Sequence, residues 1–311
     1  MRTLIFGLGF IATHIAIKLS ESSDVTVTYR SLTPVKKVYA SILEGRARLI
    51  KVDPVKDELV DLVSSADAVV NAVGALSGNL RMAHVDVPRS IASAMAKAGS
   101  GGTLIHISAS NALGPRGSLV REEERHCEGA RPSNEFEETK CEGERVVFEE
   151  AGRGGYPFAV LRPTLVYGRY AAHSEWGLMY RAAKVGFIPK IGVRVSAVSA
   201  VDLAAAVDAL IRAKPRGLYM YLTECEPVPV ESFISIMAAA LGSRRIAVPM
   251  PARLAMLALP GSVRRLAKYA GVRYDCSSTR RLLGSVGFRE DEVAGNALFL
   301  RRLEEAGVGL D

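Results

Sequence analysis

Short apolar runs recur along the first half of the chain, each followed by a longer stretch in which apolar residues return every three or four positions. The runs Thr3–Phe6, Val25–Tyr29, Arg48–Val52, Ala68–Ala72, Thr103–Ile107 and Phe158–Arg162 are rich in Val, Ile and Leu. That pattern predicts strands buried on both faces. The stretches near 11–20, 56–64, 80–98 and 136–151 predict helices between them. Strands alternating with helices imply an α/β fold with a parallel sheet covered on both sides. After Gly168 the texture changes. Residues 169–192 are irregular, "VSAVDLAAAVDALIRA" reads as a helix, and "GLYMYLT" reads as one further strand returning to the sheet. From Pro227 onward the chain reads as mainly helical, with Pro and Gly punctuation at 249–251, 260–261 and 271.

The corner after the first strand has the spacing Gly7-x-Gly9-x-x-Ala12. Gly7 permits a sharp turn, Gly9 lets backbone approach a pyrophosphate, and the small Ala12 lets the helix pack close to the strand. Phe10 and Ile11 then open a helix whose free amides and positive dipole end suit phosphate. The expectation is a Rossmann-type doubly wound parallel sheet over 1–168 plus about 193–222. A smaller, mainly helical substrate-side part would be formed by 169–192 and 223–311. Arg30 stands 21 residues after Gly9, where an acidic residue would bond the adenosine ribose, and Ser31 follows it. A guanidinium beside a hydroxyl suits a 2′-phosphate. NADP(H) is therefore the expected cofactor, with NAD(H) left open. Asp53, at the end of the third strand, is placed to meet the adenine. Ala72, Val73 and Gly74 follow the fourth strand and are small enough to let the cofactor pass.

Composition narrows the classes. A chain of 311 residues with 49% hydrophobic and 6% aromatic residues supports an ample aliphatic core. No run of 18 apolar residues is present, so a transmembrane helix is not expected. The opening "MRTLIFG" runs straight into the glycine turn and lacks a signal-peptide layout, which points to the cytoplasm. The net charge of +7 is carried by Lys and Arg scattered among Asp and Glu. Nucleic acid is disfavoured as a partner, and an anionic small molecule accounts for the charge equally well. Cys127, Cys141, Cys225 and Cys276 lack the spacing of zinc ligands, so no metal is expected. The absence of glutamine together with abundant Arg and Glu points to a thermophile. In such a cell intracellular disulfides become feasible, but spacing gives no pairing. The apolar and basic stretch 248–271 reads first as a lid or core helix, with partner docking or a membrane surface behind it.

Six ordered segments together resemble one family. "GLGFIA", "HVDV" (84–87), "LIHISASNALG", "RPSNEFEETKCEGERVV" (131–147), "LRPTLVYG" (161–168) and "VSAVDLAAAV" follow the order of motifs in the extended short-chain dehydrogenase/reductases, the NAD-dependent epimerase/dehydratase family. The resemblance implies a nicotinamide cofactor, a small-molecule hydroxyl or carbonyl substrate such as a sugar nucleotide, and a homodimer. It also implies a Tyr acid/base, a Lys four residues later that lowers the phenol's pKa and holds the nicotinamide ribose, and a Ser or Thr on the substrate oxygen. Here Lys140 is present, but the Tyr position is Phe136 and the Ser/Thr position is Ala109, flanked by Ser108 and Ser110. Substitute acids are His84, Tyr167, Cys141 or a water held by Ser110, whereas His106 and Arg162 read as packed residues. Two functions follow: an oxidoreductase or epimerase with an altered proton relay, or a catalytically inactive cofactor-holding accessory or redox-sensing protein.

Overall fold

The computed structural model describes residues 1–122, 127–251, 264 and 268–309. Seven strands form one sheet: β1 (Arg2–Phe6), β2 (Asp24–Tyr29), β3 (Arg48–Lys51), β4 (Ala68–Asn71), β5 (Thr103–Ile107), β6 (Phe158–Pro163) and β7 (Arg216–Leu222). Their order is β7-β6-β5-β4-β1-β2-β3, with every pairing parallel. The order reverses between β1 and β4, which opens a crevice at the carboxyl ends of those strands.

Successive strand residues feed opposite cores. Ile5, Val25, Val27, Val70, Ile105 and Leu161 pack under α1 (Phe10–Leu19), α2 (Pro34–Ile42) and the later helix α7 (Ala200–Ala213). Leu4, Phe6, Val69, Leu104 and Val160 pack under α3 (Val60–Ser64), α4 (Val87–Lys97) and α5 (Glu135–Gly154). This two-sided burial is why the central strands β1, β4, β5 and β6 read as mainly apolar runs, whereas β2 alternates Val with Thr.

Three local readings are corrected. Helix α2 was not expected, because it buries only Val35 and Tyr39 and so shows a narrow apolar stripe. Its start signals are nonetheless present: Thr33 caps Lys36 N–H and Pro34 opens the first turn. Helix α3 begins at Val60 rather than 56, because Asp53 and Asp57 close a turn before it. The C-terminal part is less purely helical than expected. Besides α6 (Ser174–Lys184), α8 (Val230–Leu241), α9 (Ser277–Leu283) and α10 (Glu290–Glu305), it contains short strand pairs. Phe187–Lys190 pairs with Ile246–Pro249, and Leu119–Val120 with Arg273–Tyr274.

The C-terminal part is tied back to the sheet by polar contacts. Arg289 pairs with Asp202 at 2.6 Å, Tyr167 donates to Glu224 at 2.5 Å, and Arg169 pairs with Glu292 at 3.0 Å. Burial raises the Glu224 carboxyl to about 7. Disulfides join Cys127 to Cys141 and Cys225 to Cys276. Among the described residues no helix is long and apolar enough to cross a membrane. Most of the 248–271 stretch (252–263 and 265–267) lies outside the described residues.

Candidate functional site

The glycine corner sits in the crevice. Gly7 has φ +101°, and a Cβ there would press within 3.2 Å of the Val73 amide, so β1 and the end of β4 close on each other only around glycine. A Cβ on Gly9 would meet nothing within 4 Å, which leaves open space over the turn. Helix α1 has no side-chain cap and no acid in its first turn. Its leading amides, at Phe10 and Ile11, therefore remain available to an anion. The Phe10 side chain itself is buried, edge-on to His14 and His173, so Phe10 contributes backbone alone. These features fit a dinucleotide pyrophosphate.

Arg30 and Ser31 are exposed directly after β2, at the approach to α2. One guanidinium nitrogen of Arg30 lies 3.4 Å from Met82 Sδ. Asp53 is half-buried, and its carboxylate accepts from Val55 N–H at 3.2 Å in a local turn. Ala72 and Val73 line the crevice behind Gly7. Asn71 holds that turn, accepting from Val73 N–H at 3.2 Å.

Lys140 is buried on α5 and donates from Nζ to the Ile107 carbonyl at 3.2 Å, at the end of β5. A Cβ on Gly74 would lie 3.8 Å from that Nζ, so the ammonium borders the crevice beside the turn that follows β4. Burial pulls the Lys140 ammonium down to about 8, and the Glu144 carboxylate partly restores it. Glu144 is already engaged. It accepts from Arg162 Nη2 at 2.7 Å and from Ser108 Oγ at 2.5 Å.

Phe136 is half-buried one turn before Lys140, with His84 edge-on at 5.2 Å between centroids. His84 is saturated. Its Nε2 accepts from Ala75 N–H at 3.2 Å, which leaves Nδ1 to donate to Thr139 Oγ1 at 2.9 Å, and Thr139 donates onward to the Glu135 carbonyl. Burial and the Lys140 charge hold its imidazole down to about 3. Ser110 lies beside the phenol of buried Tyr274. Cys141 is committed to its disulfide.

Sequence reasoning did not find Tyr274, Tyr269 and Lys268, which the fold carries from the C-terminal part to the ends of β5 and α5. Tyr269 donates to Glu137 at 2.7 Å, beside Phe136, and Lys268 pairs with the same carboxylate. No local pattern marks these residues, since each contact spans well over a hundred positions.

The model of the NAD-dependent epimerase/dehydratase family matches residues 3–217. A comparison with curated protein sequences finds no match. Among solved structures, a tyrosine-to-phenylalanine variant of UDP-glucuronic acid 4-epimerase from Bacillus cereus, in complex with UDP-4-deoxy-4-fluoro-glucuronic acid and NAD, superposes with a TM-score of 0.78. It is 17% identical, over 97% of this chain and 100% of that one. MoeE5 in complex with UDP-glucose and NAD gives a TM-score of 0.74 at 20% identity, over 97% and 99%. UDP-glucose 4-epimerase from Thermotoga maritima, with UDP-glucose, gives 0.74 at 17% identity, over 98% and 100%. These likenesses are of fold. Together with the family match across more than half of the sequence, they accord with the crevice just described: the chain belongs to the NAD-dependent epimerase/dehydratase family.

Proposed function

We propose that the protein binds NADP(H) in the crevice and catalyses oxidation, reduction or epimerisation at a hydroxyl or carbonyl carbon of a sugar nucleotide, with a proton relay that does not use a phenol at position 136. Gly7, Gly9 and the amides of Phe10 and Ile11 hold the pyrophosphate, and Ala72, Val73 and Gly74 let it lie close to the sheet. Asp53 stands at the adenine end. Bound there, the dinucleotide supplies or accepts hydride at its nicotinamide.

Lys140 carries this reading. Burying an ammonium costs stability, and an apolar residue would serve packing at that position better. Its presence there, with donors left over on the side of the crevice, supports a site that uses the ammonium. The second reading, a cofactor-holding protein without turnover, rests on Phe136, which has no proton to give. A panel of carbonyl and sugar-nucleotide substrates, followed through NADPH absorbance, separates the two. Oxidation of NADPH with any of them supports the enzyme, and tight NADPH binding with no oxidation supports the accessory role.

Preference for NADP(H) rests on Arg30 and Ser31 standing where a carboxylate would repel the 2′-phosphate. Two of the solved structures named above hold NAD, so this is a specific expectation for this chain. Arg30→Ala should weaken NADP(H) about tenfold to a hundredfold, the scale of one charge-assisted contact, and leave NAD(H) nearly unchanged. Calorimetric titration with both cofactors checks it. Equal affinities in the wild type would reject the preference.

A further inference from the structure

We propose that Lys140 is itself the catalytic acid and base, giving its Nζ proton to the substrate oxygen and taking it back. The inference rests on the enzymatic reading above and deepens it.

The groups around the crevice are committed one after another. Phe136 carries no exchangeable proton. His84 has both ring nitrogens bonded. His106, on β5, accepts at Nδ1 from Asn71 at 3.1 Å; its Nε2 has no partner among the described residues, but the ring is 1% exposed and shut inside the sheet. Ser108 donates to Glu144, and Tyr269 donates to Glu137. Tyr167 donates to Glu224, where the C-terminal part docks. Cys141 has no thiol.

Lys140 differs from all of these. Its ammonium has three protons, and one is spent on the Ile107 carbonyl. The nearest carboxylate, Glu144, lies on its own helix and is already held by Arg162 from β6 and Ser108 from β5. The titratable groups facing it from other elements are His84 and His106, both kept neutral, so neither competes for its charge. Gly74, having no side chain, leaves the approach to Nζ open.

Burial brings the amine to about 8, so both of its protonation states are accessible near neutrality. In the reductive direction the substrate carbonyl carbon gains a hydride from reduced nicotinamide dinucleotide. The carbonyl π pair moves onto oxygen, oxygen takes the Nζ proton, and water reprotonates the neutral amine. In the oxidative direction the neutral amine removes the hydroxyl proton as the hydride leaves carbon.

Lys140→Arg separates charge from proton transfer, because a guanidinium keeps the positive charge and donors but does not release a proton. The expected result is a cofactor Kd within about threefold of wild type and a kcat lowered at least about a hundredfold. Oxidative kcat in the wild type should rise with pH through an apparent pKa near 8. Independently of activity, NMR titration of the protein labelled with [13C]lysine should show one side-chain resonance titrating near pH 8 that is missing from Lys140→Arg. A variant that keeps its turnover and pH profile, or a Lys140 resonance that titrates above pH 10, overturns the assignment while leaving the enzymatic reading intact. A wild type that binds cofactor yet turns over nothing overturns both.

Discussion

Reduction of both disulfides should lower the unfolding free energy by about 7 kcal/mol if chain entropy dominates. The bridge Cys127–Cys141 closes 14 residues and Cys225–Cys276 closes 51. Loops of these lengths correspond to about 3 and about 4 kcal/mol of removed denatured-state entropy. A sum of this size rivals the whole stability of an ordinary domain, so the reduced protein should sit near its unfolding threshold. Guanidinium unfolding with and without a phosphine reductant measures the difference. The two bridges should also differ in access. Cys127 and Cys141 are each 4% exposed, whereas Cys225 and Cys276 are half-buried. Under native conditions alkylation should therefore label Cys225 and Cys276 first. Loss of that outer bridge loosens the C-terminal part, but the loop before α5 stays clamped to the helix that carries Lys140. Four titratable thiols in the untreated protein, or identical unfolding midpoints, would rule out this account.

What the sequence makes legible follows from how local each determinant is. The sheet is readable because strands buried on both faces leave mainly apolar runs, and the glycine corner because backbone geometry alone demands it. Phe136 and Lys140 are readable together because their four-residue spacing is a property of one helix. Helix α2 escapes because two buried side chains make too faint a stripe. The reactive side escapes for a different reason. Ser110 lies beside the family's serine position, yet the fold sets it against a tyrosine 164 positions away. Glu137 reads as one more charge in an acidic helix start, but it is buried beneath Lys268 and Tyr269. Disulfide pairing is of the same kind. Only the fold brings Cys225 and Cys276 to a Cα separation of 5.2 Å.

Glu144→Gln should destabilise the protein by about 3–5 kcal/mol, although it removes no atoms from the core. Glu144 and Arg162 form an ion pair with side-chain exposures of 0% and 1%. The guanidinium is enclosed by the rings of Tyr219 and Tyr221, at 5.1 and 5.7 Å. A buried guanidinium keeps its charge, so removing the carboxylate leaves it uncompensated, and the new amide turns N–H donors toward another donor. Breaking one partner of such a pair costs several kcal/mol, whereas replacing both by apolar residues of similar volume is often close to neutral. The double variant Glu144→Met, Arg162→Leu should accordingly recover most of the loss in a denaturant titration. Ser108 keeps a hydroxyl that must find another acceptor, so recovery should fall short of complete by about 1 kcal/mol. The double variant also isolates what the pair does for function. Burial pulls the Lys140 ammonium down, and the Glu144 carboxylate is what opposes it. With that carboxylate gone and the fold restored, the Lys140 resonance should titrate below its wild-type midpoint, and the pH at which oxidative turnover rises should fall with it. A double variant as unstable as Glu144→Gln would show that the network's hydrogen bonds, rather than its balanced charge, hold α5 against the sheet.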